Sequence, residues 1–329
     1  MRLRRFLFAF AAVSACLFLA ARYWLHFPRP ADPHLAGSFT RETLQDGGRD
    51  RSFGVYVPAR RAAPTPLVVA LHESGGKGEA FRWHTGYDFD RLADENGFVV
   101  AYPDGFEGHW DDCRAAAPFS SRKQHVDDVA FIRAMIRRLA ASVHIDPAQV
   151  FAVGHSNGGQ MALRLALEAP DAVSGGVAVV SAGLPADDNL DCHPSGKQVP
   201  VLIMNGTADR LNPFAGGRMR IFGVSDRGNI RSTPDSARYF VALNGLPDAP
   251  SVERLPGGDD SIWAERSLWS APGRPRVELV TIHGGGHVVP QPYTRYPRVL
   301  GPMAPGFDGP LEIWRFFSAA RGPAAPTTR

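Results

Sequence analysis

Residues 150–159 read VFAVGHSNGG, and the fold turns on how this stretch is read. Val150, Phe151, Ala152 and Val153 form a short apolar run with the β-branched content of a buried strand, while MALRLALEA after the glycines has helical spacing. Ser156 therefore lies where a strand turns sharply into a helix. Such a corner strains the central residue and crowds its neighbours, so the positions two before and two after must be almost free of side chain. Gly154 and Gly158 meet that demand, and Gly159 adds room. The turn reads as a nucleophile elbow, with the serine hydroxyl and the first helix amides aimed at one point.

Working outward, PLVVAL (66–71), FVVAY (98–102), GGVAVV (175–180), PVLIM (200–204) and VELVTI (277–282) are further runs of buried-strand type. Between them, helices are expected around Phe89–Glu95, ended by Gly97, and over 126–143, where Val126, Val129, Ile132, Met135, Ile136, Leu139 and Val143 share one face. Near-continuous apolar strands alternating with helices imply a mainly parallel sheet covered on both faces. Ahead of them, FTRETL and RSFGVYVP flank a DGG turn and read as an N-terminal β-hairpin.

A serine hydroxyl needs a histidine to take its proton and a carboxylate to hold that histidine. In this architecture the order along the chain is Ser, Asp or Glu, His. PVLIM runs into NGTADRLNP and VELVTI into HGGGHVVP, so Asp209 and His287 each follow the C-terminal end of a strand, the edge of the sheet where Ser156 also sits. His283 competes with His287, but it still abuts its strand, whereas three glycines free His287 to reach the elbow. Asp187, Asp188 and Asp226 are weaker acid candidates. The oxyanion of a tetrahedral intermediate needs two amide donors. Asn157 offers one, and the loop LHESGG (71–76) offers the other from Glu73 or Ser74, with Ser74 preferred. His72 reads as a brace for that loop.

At 329 residues and 44% hydrophobic content the chain can build a sizeable core. Its net charge of +3 comes from the arginines at 2, 4, 5 and 22; without residues 1–22 the remainder carries −1, and no nucleic-acid partner is expected. Residues 1–5 are basic and 6–21 uncharged, so 1–27 reads as a signal peptide or a signal anchor, and Val13-Ser14-Ala15-Cys16 also resembles a bacterial lipobox. Any membrane contact is expected only through this segment, with the body extracytoplasmic: secreted, periplasmic or anchored. Residues 28–38 are proline-rich and read as a linker, 39–321 as the catalytic domain, and 322–329 as a disordered tail. Cys113 and Cys192 form one disulfide if the compartment is oxidising, the alternative being two separate buried thiols.

Taken in order, YVP, PLVVALHESGG, ADENGFVVAYPDG, VDDVAFIRAMI, IDPAQVFAVGHSNGGQMALRLA, PVLIMNGTADRLNPF and HGGGHVVP make the chain resemble the feruloyl esterase and poly(3-hydroxyalkanoate) depolymerase family of α/β-hydrolases, which also includes acetylxylan esterases. The resemblance runs from about Phe39 to Phe317. It implies an α/β-hydrolase fold and a secreted serine esterase without cofactor or metal, acting on plant polysaccharide or polyester, with Ser156, Asp209 and His287 as nucleophile, acid and base. Two positions depart from the family pattern. Glu73 stands where the family has glycine, beside the expected oxyanion hole; since a buried anion there would oppose catalysis, it is expected to face solvent or to pair with an arginine such as Arg82, and from there to touch substrate. Val288 and Val289 replace an expected tryptophan, so Trp83 and Trp110 are expected to line the cleft instead. An acyltransferase or serine peptidase with the same triad, and a noncatalytic surface scaffold, are the competing readings.

Overall fold

In a computed structural model, residues 2–320 are described; the tail expected at 322–329 lies outside them. The chain opens with helix α1 (Arg2–Leu25), followed by the hairpin of β1 (Ser38–Asp46) and β2 (Arg49–Val57). Asp46 faces Arg49 across a turn in which Gly47 and Gly48 both have positive φ, 55° and 74°, as the tight hairpin turns that match strand twist require. Next come β3 (Thr65–Leu71), α2 (Gly78–His84), α3 (Asp88–Asn96), β4 (Val99–Pro103), α4 (Ser120–Lys123), α5 (Asp128–Ser142), β5 (Ile145–His155), α6 (Asn157–Glu168), β6 (Gly176–Val180) and β7 (Val201–Gly206). A second hairpin, β8 (Gly217–Ile221) and β9 (Ser225–Ile230), precedes α7 (Thr233–Asn244), β10 (Ser251–Gly258), β11 (Trp263–Trp269), β12 (Val277–His283) and α8 (Gly309–Ala320).

Ten strands form one sheet in the order β1-β2-β4-β3-β5-β6-β7-β12-β11-β10. From β4 to β12 the neighbours are parallel, and antiparallel pairs flank that block on both sides. The parallel block is the part expected from apolar runs, because its strands β3, β4, β6 and β7 are buried along their whole length. One face is covered by α5, α6 and α7 through Phe131, Met135, Met161, Leu165 and Phe240. The other is covered by α2, α3 and α8 through Phe81, Phe89, Leu92, Trp314 and Phe317. This is the α/β-hydrolase arrangement, with β5 central and its carboxyl end opening at Ser156.

The stretch 28–38 has no regular structure up to the start of β1, but it is seated rather than free. Thr294 donates its hydroxyl to the Pro28 carbonyl at 2.8 Å, and the Ala36 amide donates to Asp94 at 2.9 Å. Just before it, Phe27 stacks on the His84 ring at 4.1 Å and packs on Trp83 and Tyr296. The stretch thus runs along the domain as a strap, held by contacts that no local pattern announces. Phe10, Val13, Leu17, Phe18 and Leu19 of α1 are exposed. Among the described residues no helix is long and apolar enough to cross a membrane. Cys113, in the loop after β4, is joined to Cys192, ahead of β7, with Cα atoms 5.0 Å apart.

Candidate active site

Ser156 occupies the corner between β5 and α6 with φ 55° and ψ −115°, a left-handed conformation that a residue with a Cβ adopts only when its surroundings enforce it. The enforcement is visible. A Cβ on Gly154 would come 2.0 Å from the Gly158 carbonyl oxygen, and one on Gly158 would come 2.1 Å from the Leu71 oxygen, so both positions demand glycine. The Ser156 amide donates to the Val180 carbonyl at 2.9 Å, which ties the corner to β6.

β7 and β12 are parallel neighbours, and the loops after them carry Asp209 and His287 to this corner. His287 Nε2 lies 2.9 Å from Ser156 Oγ, and His287 Nδ1 lies 2.7 Å from Asp209 Oδ2. The other Asp209 oxygen accepts from the Leu211 and Asn212 amides, both at 2.8 Å, so the carboxylate is fixed from behind. All three residues are nine-tenths or more buried. Nδ1–H therefore points to the carboxylate, and Nε2 is left to accept from the serine.

The competing candidates lie elsewhere. His283 stacks on Trp263 at 3.9 Å. Asp226 pairs with Arg218, Asp187 with Arg231, and Asp188 accepts from Asn229. The structure thus brings Ser156, Asp209 and His287 together and leaves the others apart.

Ser156, Asn157, His287, Glu73 and Ser74 line one cavity of about 300 Å³. A larger, shallower groove of about 770 Å³ lies on the other side of the 73–76 loop and has neither Ser156 nor His287 in its wall, so the smaller cavity is the candidate site. Asn157 is the first residue of α6, where amides have no acceptor within the helix. Its side chain is held by Trp110 and Asp112, the Trp110 amide donating to its oxygen at 2.9 Å and its own amide nitrogen donating to Asp112 at 2.7 Å. Across the cavity, His72 braces the 73–76 loop: its Nδ1–H donates to the Glu73 carbonyl at 2.7 Å and its Nε2 accepts from the Gly105 amide at 2.9 Å. Burial lowers the His72 pKa, consistent with a neutral ring that both donates and accepts.

Three expectations are corrected. Trp110 is fully buried, with its indole N–H donating to the His72 carbonyl at 2.9 Å, so it packs beneath the loop and does not line the cleft. Trp83 packs edge-on against Phe27 and His84 and lines the neighbouring groove. Glu73 does not turn outward, and Arg82 is not its partner, because Arg82 is held by the buried Asp90. The Glu73 carboxylate points inward, 2.7 Å from His84 Nδ1 and 4.0 Å from His155 Nδ1. Burial alone would raise its pKa, but His155 and His84 outweigh that and hold it well below the ordinary glutamate value.

The cavity wall also contains residues that sequence reasoning passed over: Phe27, Phe119, His155, Arg227 and Tyr296. Of these only His155 had a readable position, inside the G-x-S-x-G turn. Arg227 comes from β9, whose sequence SDRGNI carries no apolar alternation. Among the described residues no group of three or more His, Cys, Asp or Glu is placed to hold a metal ion.

Known proteins resemble this chain in sequence and in fold. Residues 53–219 match the model of the Dienelactone hydrolase family. A protein named for esterase activity, NocK of Nocardia uniformis subsp. tsuyamanensis, is 33% identical over 77% of this chain and 75% of its own length. Feruloyl esterase B of Piromyces equi is 26% identical over 68% of this chain, a match that takes in 39% of that protein. Poly(3-hydroxyalkanoate) depolymerase C of Paucimonas lemoignei is 24% identical over 71% of this chain and 58% of its own length. Among solved structures, the acetyl xylan esterase of Aspergillus awamori superposes with a TM-score of 0.53 at 19% identity, covering 78% of this chain and 96% of that one, a likeness of fold.

Proposed function

This chain belongs to the Dienelactone hydrolase family and is an esterase of the carboxylic-ester hydrolase type; from that premise we propose that Ser156, Asp209 and His287 are its catalytic triad and that it acts through an acyl-enzyme. The observation that carries the reading is the continuous hydrogen-bonded row from Asp209 through His287 to Ser156 at the bottom of an open cavity.

The geometry supports the following course of reaction. His287 Nε2 takes the proton of Ser156 as Oγ attacks the ester carbonyl, and Asp209 stabilises the imidazolium that results. The negative charge that develops on the carbonyl oxygen is met by the amides of Asn157 and Ser74. The intermediate collapses, the C–O bond to the alcohol breaks, and His287 returns its proton to the departing oxygen. Water then repeats the sequence against the acyl-serine, releasing the acid and restoring the serine hydroxyl.

The names of the relatives support feruloyl, acetyl-polysaccharide or polyhydroxyalkanoate esters as the substrate class. An extracytoplasmic location is supported by the Cys113–Cys192 disulfide and by the basic and then apolar order of the first 21 residues. A fluorophosphonate probe should label Ser156 and abolish release of 4-nitrophenol from its acetate ester. Labelling at another residue, or activity that survives full labelling of Ser156, would refute the assignment.

A further inference from the structure

The cavity beside the triad holds a set of polar atoms that the mechanism does not use. Glu73 Oε2, both ring nitrogens of His155 and the Tyr296 hydroxyl are buried without a hydrogen bond of good geometry, Glu73 Oε2 and His155 Nδ1 facing each other at 4.0 Å. All three residues line the same cavity as Ser156 and His287. His155 is 1% exposed, and its ring lies 5.0 Å from that of His287 and 5.7 Å from that of Tyr296. A buried polar atom left unbonded is costly, and native structures contain few of them. Several gathered in one cavity wall indicate that something other than the protein completes their bonding.

Resting on the esterase reading above, we propose that Glu73, His155 and Tyr296 form a specificity subsite for an ester that carries a hydrogen-bond donor, an ammonium or a hydroxyl, on the part of the substrate filling this cavity. The Glu73 carboxylate selects a donor, since the His155 ring and the Tyr296 hydroxyl can each donate as well as accept. An ionised carboxylate only accepts, and a neutral imidazole keeps one accepting nitrogen. His155 is lowered from its ordinary pKa, chiefly by burial, so its ring belongs with the acceptors. An anionic substituent would meet the Glu73 carboxylate and be repelled, and an apolar one would leave all of these atoms unbonded. The same interaction accounts for a carboxylate beside the oxyanion amide of Ser74: His84 on one side and the substrate's donor on the other keep its charge compensated while the oxyanion forms.

Two isosteric series test this in the intact protein. The acyl series is the 4-nitrophenyl esters of 3-aminobutanoate, 3-hydroxybutanoate and 3-methylbutanoate. The alcohol series is the acetates of 2-dimethylaminoethanol, of the primary hydroxyl of 1,3-butanediol, and of 3-methylbutanol. In at least one series kcat/KM should favour the donor-bearing members over the methyl isostere by about tenfold, the scale of one hydrogen bond to a charged group. Glu73→Gln should remove the ammonium's advantage while leaving part of the hydroxyl's, and Tyr296→Phe should shrink the hydroxyl's. Each reading is a ratio within one variant, so a partly folded preparation does not mimic the effect. An advantage confined to the ammonium marks charge as the determinant; a shared one marks hydrogen bonding. Ratios near one in both series, or wild-type ratios retained in Glu73→Gln, overturn the subsite while leaving the esterase assignment standing. Failure to hydrolyse any of the six esters overturns the esterase assignment itself.

Discussion

Ser156 has a backbone conformation that a β-carbon disfavours, held by two glycines that admit no β-carbon at all. Function and strain therefore separate under mutation. Ser156→Ala should retain the fold and lower kcat by roughly 10⁴-fold, because the nucleophile acts as a unit with its base; an alanine variant with near-normal turnover would remove the triad. Gly158→Ala should instead cost the fold: its new methyl would sit 2.1 Å from a carbonyl oxygen of β3, and either the strand or the elbow must move. Melting of the purified variant checks this, with an unchanged midpoint as the contrary result. At this scale Ser156, Asp209 and His287 were legible because each sits beside a strand end with turn chemistry of its own. The direction of Glu73 was not, since it depends on His84 and His155, residues that the local sequence gives no reason to place nearby.

Elements meet at Asp104, just past β4. Its carboxylate accepts from Arg41 of β1 at 2.7 Å, from the Ser52 hydroxyl of β2 at 2.6 Å and from the Gly78 amide at the start of α2 at 2.8 Å. Burial pushes the Asp104 pKa up, but these three contacts outweigh it and leave the group below its ordinary value of 3.8. A depressed acid stabilises the folded state above the unfolded pKa, and that stabilisation is lost as pH falls through the folded one. Asp104→Asn should therefore be less stable than wild type by about 1–3 kcal/mol near pH 6, the scale of charge-assisted hydrogen bonds. The gap should narrow below about pH 4, where Asp104 of the unfolded wild type takes up its proton, and should close as pH falls through the lower folded value. Urea titrations of both proteins across that range decide it; a gap that is constant or widens toward acid contradicts the prediction. The same scale explains which elements were readable. The parallel strands are buried on both faces and so read as apolar runs, and the first hairpin announces itself through its two turn glycines. β10 is an exposed edge strand, β11 beside it is mostly half-buried with no regular alternation, and α7 carries a mixed surface, so none of these gave a clear local period.

For the whole molecule, the longest covalent constraint among the described residues is the Cys113–Cys192 bridge, which closes a loop spanning 79 positions and enclosing β5, the elbow and β6. In the chain-entropy account a loop of that size stabilises the fold by roughly 4 kcal/mol. The double variant Cys113→Ala with Cys192→Ala should melt well below wild type in the absence of reductant and alongside reduced wild type in its presence. Equal melting of oxidised wild type and the double variant would show the bridge to be dispensable. The sequence by itself determined the sheet's parallel core, the elbow and the order of the three residues proposed as the triad, because strand burial, helix period and turn chemistry are each written within about ten consecutive residues. Only the tertiary structure decided that Trp110 packs beneath the loop, that residues 27–36 strap onto the domain, and that Glu73 faces inward. Each of these depends on which distant surfaces meet, and a side chain's environment is set by those meetings rather than by its neighbours along the chain.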